Sequence, residues 1–363
     1  MVSEIEGNAV AEEFVNEKIK SASSKLSAEL MREKTNPPRP GERKLSGRDK
    51  FPQPKIQKVP QVLRDEQKSL EMLYDPKWIS IGPIHHGNPK FRLAEKHFKF
   101  LFAAKFVENS GHQSYDHLYR KVMERIELLK QCFDEEVLEE YYREDGNDDE
   151  ALGWMLFLDG CFTLQFIYST MNGELRNFEI KNDQVAFVLH DFFLLENQIP
   201  YLVLKLLMDN SKKEFSKELQ GSIMLQFVSL NVLTPEKYRK PTMVPPKEMP
   251  VHLLDFLRLA LLQQSYHYGS SDEARGWRAK QQTFRSVMDL KAAGINLKQN
   301  KSGSLKDIKF SSSLFSAELE LPPIIVDDSM APKFLNLIAF EMCPDNTKTE
   351  YEISSYILSG PDQ

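Results

Sequence analysis

Three short polar groups in the sequence are of the kinds that carry chemistry. The first is His85-His86, set between Gly82-Pro83 and Gly87. Imidazole titrates near neutrality, so it is the side chain best suited to take up and return a proton at physiological pH. The flanking glycines and proline place the pair on a turn, where binding and catalytic groups are commonly displayed. Adjacent side chains diverge, which makes the tandem a poor metal clamp, and no metal is expected. The plain alternative is that both rings hydrogen-bond backbone carbonyls and pin the loop.

The second is Asp159, a carboxylate amid Trp154, Met155, Leu156, Phe157, Leu158, Phe162 and Leu164. Buried there, it must be paired or protonated. A backbone donor or a basic side chain is the expected partner. If that partner is a histidine of the turn, an Asp–His pair results that could do acid–base work. The third is Glu196-Asn197-Gln198, between two apolar runs. Such residues satisfy orphan groups at helix ends, and they also line polar small-molecule pockets. Read as an enzyme, the chain would use His85, His86, Asp159 and Glu196, with Asn197, Gln198 and Trp154 as binding residues and no cofactor.

The common alternatives lack their motifs. No phosphate-binding glycine loop, G-x-S-x-G elbow or H-E-x-x-H occurs, which lowers the standing of nucleotide, serine-hydrolase and zinc chemistry. A net charge of -6 over 363 residues argues against nucleic acid, which calls for a basic face. Cys132, Cys161 and Cys343 lie far apart and form no CxxC pair, so reduced thiols and a cytoplasmic location are expected. Arg143–Glu150 is acidic but lacks the ligand spacing of a calcium loop. The most apolar stretch, Ala151–Ile167, contains Asp159 and Gln165. It falls short of the roughly 20 apolar residues of a membrane span and reads as a core helix.

The elements that must position these groups are mostly helical. Residues 8–33 read as a weak amphipathic helix and Arg32–Pro60 as a linker holding six prolines, so the folded domain is placed from 56 to 358. Spacing of three and four predicts helices over Asn88–Glu108 and Tyr115–Tyr142. Leu152–Ile167 and Val185–Leu195 are apolar nearly all round and are assigned to the centre, the second capped by Asp183. Tyr201–Met208 follows Pro200 at its first turn, Lys237–Pro250 reads as a flexible connection, and Val251–Gln264 is again apolar. After Thr283–Ala293, with an Arg285–Asp289 pair and Gly294 as its terminator, the pattern changes. Ile295–Leu297, Asp307–Phe310, Ser316–Leu321 and Ile324–Val326 read as short strands. Lys333–Cys343, capped by Asp327, Asp328 and Ser329, and a segment over 350–358 read as closing helices. The expected fold is therefore a multi-helix body (56–293) with a small antiparallel β element in the C-terminal third (294–343).

Several segments, taken in order, resemble the plant family known as domain of unknown function 247. They are I-Q-K-V-P-Q-V-L-R from Ile56, S-I-G-P-I-H-H-G from Ser80, L-D-G-C-F from Leu158 and L-L-E-N-Q-I-P from Leu194. L-K-A-A-G-I from Leu290, L-P-P-I-I-V-D-D from Leu321 and N-L-I-A-F-E from Asn336 complete the set. The resemblance runs from Ile56 to Tyr356. It implies a flowering-plant protein without established chemistry, with relatives tied to pollen–stigma self-recognition in grasses and to stress and defence. Such relatives usually continue to a C-terminal membrane anchor, which implies the plasma membrane as the location of full-length members. This sequence stops at Gln363, and no membrane span is expected in it. On that basis the chain is expected to be a recognition or scaffold protein with an unknown protein partner. The alternative is a cofactor-independent enzyme acting on a small plant metabolite.

Overall fold

The computed structural model describes residues 54–66, 71–112, 114–143, 148–232, 234–238, 245–246, 248–263, 287–301, 303–313, 316–325, 327, 329–346 and 351–358. The chain divides into two compact units, Met1–Phe51 and Pro52–Gln363, and all described residues lie in the second. The expected helix at 8–33, the linker up to Gln53, half of the Lys237–Pro250 connection and Arg285 lie outside them.

The body is organised around the helix Asp149–Met171. Asp148 caps it, its side chain accepting from the Ala151 N–H at 2.9 Å, and Asp149 and Glu150 suit the positive end of the helix dipole. Beyond that first turn it is apolar on every side, and such a helix is stable only when wrapped. It is long and apolar enough to cross a bilayer, yet its most apolar stretch is 83% buried within the protein. Gly160 lets the helix Tyr201–Asp209 approach: a Cβ there would lie 2.6 Å from Leu207 and 2.9 Å from Val203.

On another flank runs a second long helical stretch, entered through Pro89–Phe91 and carried by Arg92–Ala94, a π-helical turn Glu95–Lys99, and Phe100–Asn109. Phe102 stacks on Phe178, with ring centroids 3.9 Å apart, and meets Phe162 and Phe166 of the central helix edge-on or tilted. Aromatic pairs of this kind add stabilisation beyond their burial. Tyr115–Tyr142 is not one helix but three, Asp116–Met123, Ile126–Lys130 and Glu135–Arg143. The break before the third is held by Ile56, whose N–H donates to Cys132 O and whose O accepts from Asp134 N–H.

The helix expected at Val185–Leu195 spans Asn182–Asp191 and lies at the surface, with Phe187 39% exposed. The buried part of that apolar run, Phe192–Leu195, is not helical, because the Asn197 and Gln198 side chains take the carbonyls of Asp191, Phe192 and Leu194. Lys181, not Asp183, occupies the cap position, its N–H donating to Gln184 Oε1.

Among the described residues three strands form in the C-terminal third: β1 (Ile295–Gln299), β2 (Lys309–Ser312) and β3 (Ala317–Leu321), in the order β1-β3-β2. The sheet is mixed rather than antiparallel. β2 and β3 run antiparallel, with Ser313 N–H donating to Ser316 O where one gives way to the other, whereas β1 lies parallel to β3 on its far edge. The connection after β1 is anchored to the helix Leu253–Gln263 by Leu305 N–H on Leu261 O and Ser304 Oγ on Leu262 O, so β1 and β3 point the same way. The strand expected at Ile324 does not form at Ile324 or Ile325. Pro322 and Pro323 remove two backbone donors just before it. Helices Met330–Glu341 and Glu352–Leu358 close the chain, the second capped by Glu341, whose carboxylate accepts from the N–H groups of Ile353 and Ser354.

Candidate functional site

Residues 77–82 run without helix or strand, yet Ile79, Ser80, Ile81 and Gly82 are buried. Buried backbone groups must find partners, and here side chains supply them. Asp191 accepts from the N–H groups of Lys77, Trp78 and Ile79 at 2.8–2.9 Å. Asn197 Oδ1 accepts from Ile81 N–H at 2.7 Å, while its Nδ2 donates to Ile79 O and Asp191 O. Asp159 Oδ2 accepts from Gly82 N–H at 2.8 Å. Gly82 is required by the same geometry: its φ is +82°, and a Cβ would lie 2.1 Å from Gln198 O.

Asp159 has no exposed surface, and its other oxygen lies 2.5 Å from Lys99 Nζ, itself 2% exposed. The π-helical turn sets Lys99 inward beside Glu95, 3.6 Å away, and Ser80 Oγ donates to that Glu95 carboxylate. Burial pushes the Asp159 carboxyl above the usual range, against the opposing pull of Lys99, the Gly82 N–H and His86. His86 therefore feels Asp159, but the partner in contact is a lysine rather than a histidine. The His86 ring packs against Tyr141 at 5.7 Å, whose phenol is held well above its ordinary value by burial and by the Asp159 charge.

A second cluster gathers at His85. Glu196 Oε1 accepts from Val59 N–H at 2.7 Å, and its Oε2 pairs with Arg64 at 2.7 Å. Arg64 reaches Asp75 at 3.4 Å, and His85 Nε2 lies 3.6 Å from Glu196 Oε2. Burial pushes the His85 imidazole down, against the attraction of Glu196 and Asp75. Ligand atoms of Asp75, His85 and Glu196 lie within 4.8 Å of one another, a donor set of the kind that divalent cations use. The Arg64 guanidinium bonds both carboxylates and already supplies positive charge there.

The expected pinning of the turn by its imidazoles is not what forms. His85 Nε2 and His86 Nδ1 are buried without a hydrogen-bond partner. The turn is closed instead by His86 N–H on Pro83 O and Asn88 N–H on His85 O. Gln198 Nε2 donates to Phe192 O and Leu194 O, and its Oε1 accepts from Leu254 N–H at the start of Leu253–Gln263. Trp154 belongs elsewhere, among Tyr115, Tyr119 and Phe157 with ring centroids 5.5–5.6 Å away. The four acid–base candidates thus fall into two clusters, one at each histidine. Burial raises the thiol of Cys132 to about 11 and that of Cys343 to about 12, and pushes Cys161 well above its ordinary value, which favours the thiol over the reactive thiolate.

Lys99, Asp191, Arg64 and Asp75 were not singled out by sequence reasoning. Lys99 left a signal, standing three residues before Phe102 and eight after Phe91, on the face that turns inward. Asn336 was also missed: it accepts from Leu195 N–H and donates to Leu73 O and Pro332 O.

Among curated proteins, the chain is 27% identical over 311 residues to UPF0481 protein At3g47200 of Arabidopsis thaliana, a match covering 78% of this chain and 60% of that protein. It is 26% identical over 163 residues to Putative UPF0481 protein At3g02645 of the same plant, covering 44% of this chain and 27% of the other. The chain therefore spans at most about three fifths of the length of these relatives. No solved structure matches it. The family model described as plant protein of unknown function, DUF247, matches residues 56–359, and the chain belongs to that family.

Proposed function

We propose that this plant protein is a recognition or scaffold module that acts through contacts with another protein. One observation carries the reading. The buried polar side chains that looked suited to chemistry are committed to main-chain groups, with Asp159, Glu196 and Asn197 accepting from the N–H groups of Gly82, Val59 and Ile81, and Asp191 beside them accepting from those of residues 77–79. A catalytic carboxylate needs an oxygen that faces substrate. Here the free oxygens of Asp159 and Glu196 meet Lys99 and Arg64 instead. The braced segments include those that carry the family resemblance, so the shared residues serve the frame, and specificity falls to the surface built on it.

A second reading has its own observation. His85 Nε2 and His86 Nδ1 are buried without a hydrogen-bond partner, and His85 Nε2 lies 3.6 Å from the Glu196 carboxylate, an arrangement from which a cofactor-independent acid–base enzyme could work. The deciding experiment is a plant-metabolite turnover screen at pH 5 to 9, with the wild type and the His85→Gln/His86→Gln double variant. The recognition reading predicts no turnover by either protein and a folded double variant. Turnover that titrates with a histidine and is lost in the double variant overturns it, since loss of general acid–base catalysis costs about 10²–10⁴ in rate.

A further inference from the structure

The three-stranded sheet has two unlike faces. Register places Leu297, Leu319 and Phe310 side by side on one face, flanked by Ile295, Ala317 and Leu321. The other face carries Lys298, Glu318, Glu320 and Lys309, with Lys298 Nζ 2.7 Å from Glu318. β2 is an edge strand: it pairs with β3 on one side, and no described strand pairs with the other. All four of its residues are exposed, Phe310 by 60%, and Ile308 just before it by 43%. An exposed edge with apolar side chains is a template for another strand.

We propose that this edge pairs with β2 of a second copy of the chain, antiparallel about a two-fold axis, giving one continuous six-stranded sheet. The sequence of the strand favours its own copy. Antiparallel partners lie on the same face, so a two-fold axis preserves both the apolar and the charged side across the joint. Centred on Phe310, the pairing sets Phe310 against the second copy's Phe310, Lys309 against Ser311 and Ile308 against Ser312. No like charges stand directly opposed, and the Leu297–Leu319–Phe310 row continues into its symmetry mate. A register centred on Lys309 would oppose two ammonium groups, and one centred on Ser311 would leave each phenylalanine against a serine. Aromatic cross-strand pairs are among the favourable ones, which selects the Phe310 register. The joint is closed and isologous, so it stops at two chains. Its small size makes it a concentration-dependent equilibrium rather than an obligate dimer.

The test is sedimentation velocity of the full chain from about 1 to about 200 μM. The expected result is a reversible rise from one chain mass to two. Phe310→Asp sets two carboxylates against each other and should weaken dimerisation by at least about tenfold. Phe310 is mostly exposed, so the melting temperature should hold. Phe310→Cys should give a disulfide-linked dimer under mild oxidation, whereas Ser312→Cys and the wild type should not. A chain that stays monomeric overturns self-pairing and leaves the edge to a strand of another protein. A dimer indifferent to Phe310→Asp, growth beyond two chains, or cross-linking at Ser312→Cys as strong as at Phe310→Cys overturns it equally.

Discussion

Replacing Asp159 with leucine takes the nearest partner from two buried groups, leaving Lys99 with Glu95 alone at 3.6 Å. One is the Lys99 ammonium, 2% exposed and 2.5 Å from the carboxylate; the other is the Gly82 N–H, 2.8 Å from it. Breaking a buried ion pair from one side costs about 3–5 kcal/mol, because the remaining charge has lost its closest compensation. An orphaned buried N–H adds about 1–3 kcal/mol. The sum is a large fraction of the roughly 5–15 kcal/mol that holds a domain together. Asp159→Asn keeps an acceptor for Gly82 and should recover the smaller part only. Lys99→Met is the milder single change, because the Asp159 carboxyl, already pushed up by burial, can take a proton. In that variant the native state holds the proton longer than the unfolded chain does. Its stability is therefore highest at acidic pH and falls as pH rises through the elevated carboxyl pKa. Lys99→Met combined with Asp159→Leu removes both charges and should regain most of the loss, since apolar replacement of a buried pair is often neutral. Urea unfolding followed by circular dichroism gives each value, and the double-mutant cycle isolates the pair. Single variants that each cost less than about 1 kcal/mol, or a double variant equal to their sum, would refute the reasoning.

Other outcomes follow from the same network. The His252 ring, fully buried beside Phe340, has its pKa pushed from 6.5 down to about 4 by burial; the unfolded state therefore binds the extra proton between those values. Stability is complete above pH 6.5 and falls by about 3 kcal/mol as pH drops to about 4, a slope that urea midpoints should show and His252→Asn should lose. Gly82→Ala forces a side chain onto a φ of +82° and into Gln198 O; it should cost more than about 1–3 kcal/mol, read as a drop in melting temperature. Glu341→Ala strips the cap from Glu352–Leu358 and should cost about 1–2 kcal/mol, with faster amide exchange over residues 353–358.

Local pattern gave away much of the fold. The central helix announced itself because no face of it is polar, and the three strands formed within a few residues of where alternation put them. What pattern could not carry was pairing at a distance. The parallel partnership of β1 with β3 depends on a connection tied to Leu261 and Leu262, about forty residues earlier. The apolar run after Val185 looked like one helix, but its end is set by side-chain hydrogen bonds from Asn197 and Gln198, which no hydrophobic period records. The same limit held at the site. That a buried Asp159 needs a partner follows from desolvation alone. That the partner is Lys99, 60 residues away on a π-helical turn, required the fold. Asp191, at the end of a helix beside His190, gave no sign that it would hold three amides of a distant extended segment.

The central claim is that buried side chains serve as acceptors for an irregular segment rather than as reacting groups, and amide hydrogen exchange tests it most directly. The amides of Val59, Trp78, Ile79, Ile81 and Gly82 lie outside helices and strands, yet each donates to a buried carboxylate or amide oxygen. They should exchange as slowly as the central helix Asp149–Met171, opening only with global unfolding. Exchange at the rate of an open loop, with the helix still protected, would mean that the segment moves freely past these side chains, and would contradict the account.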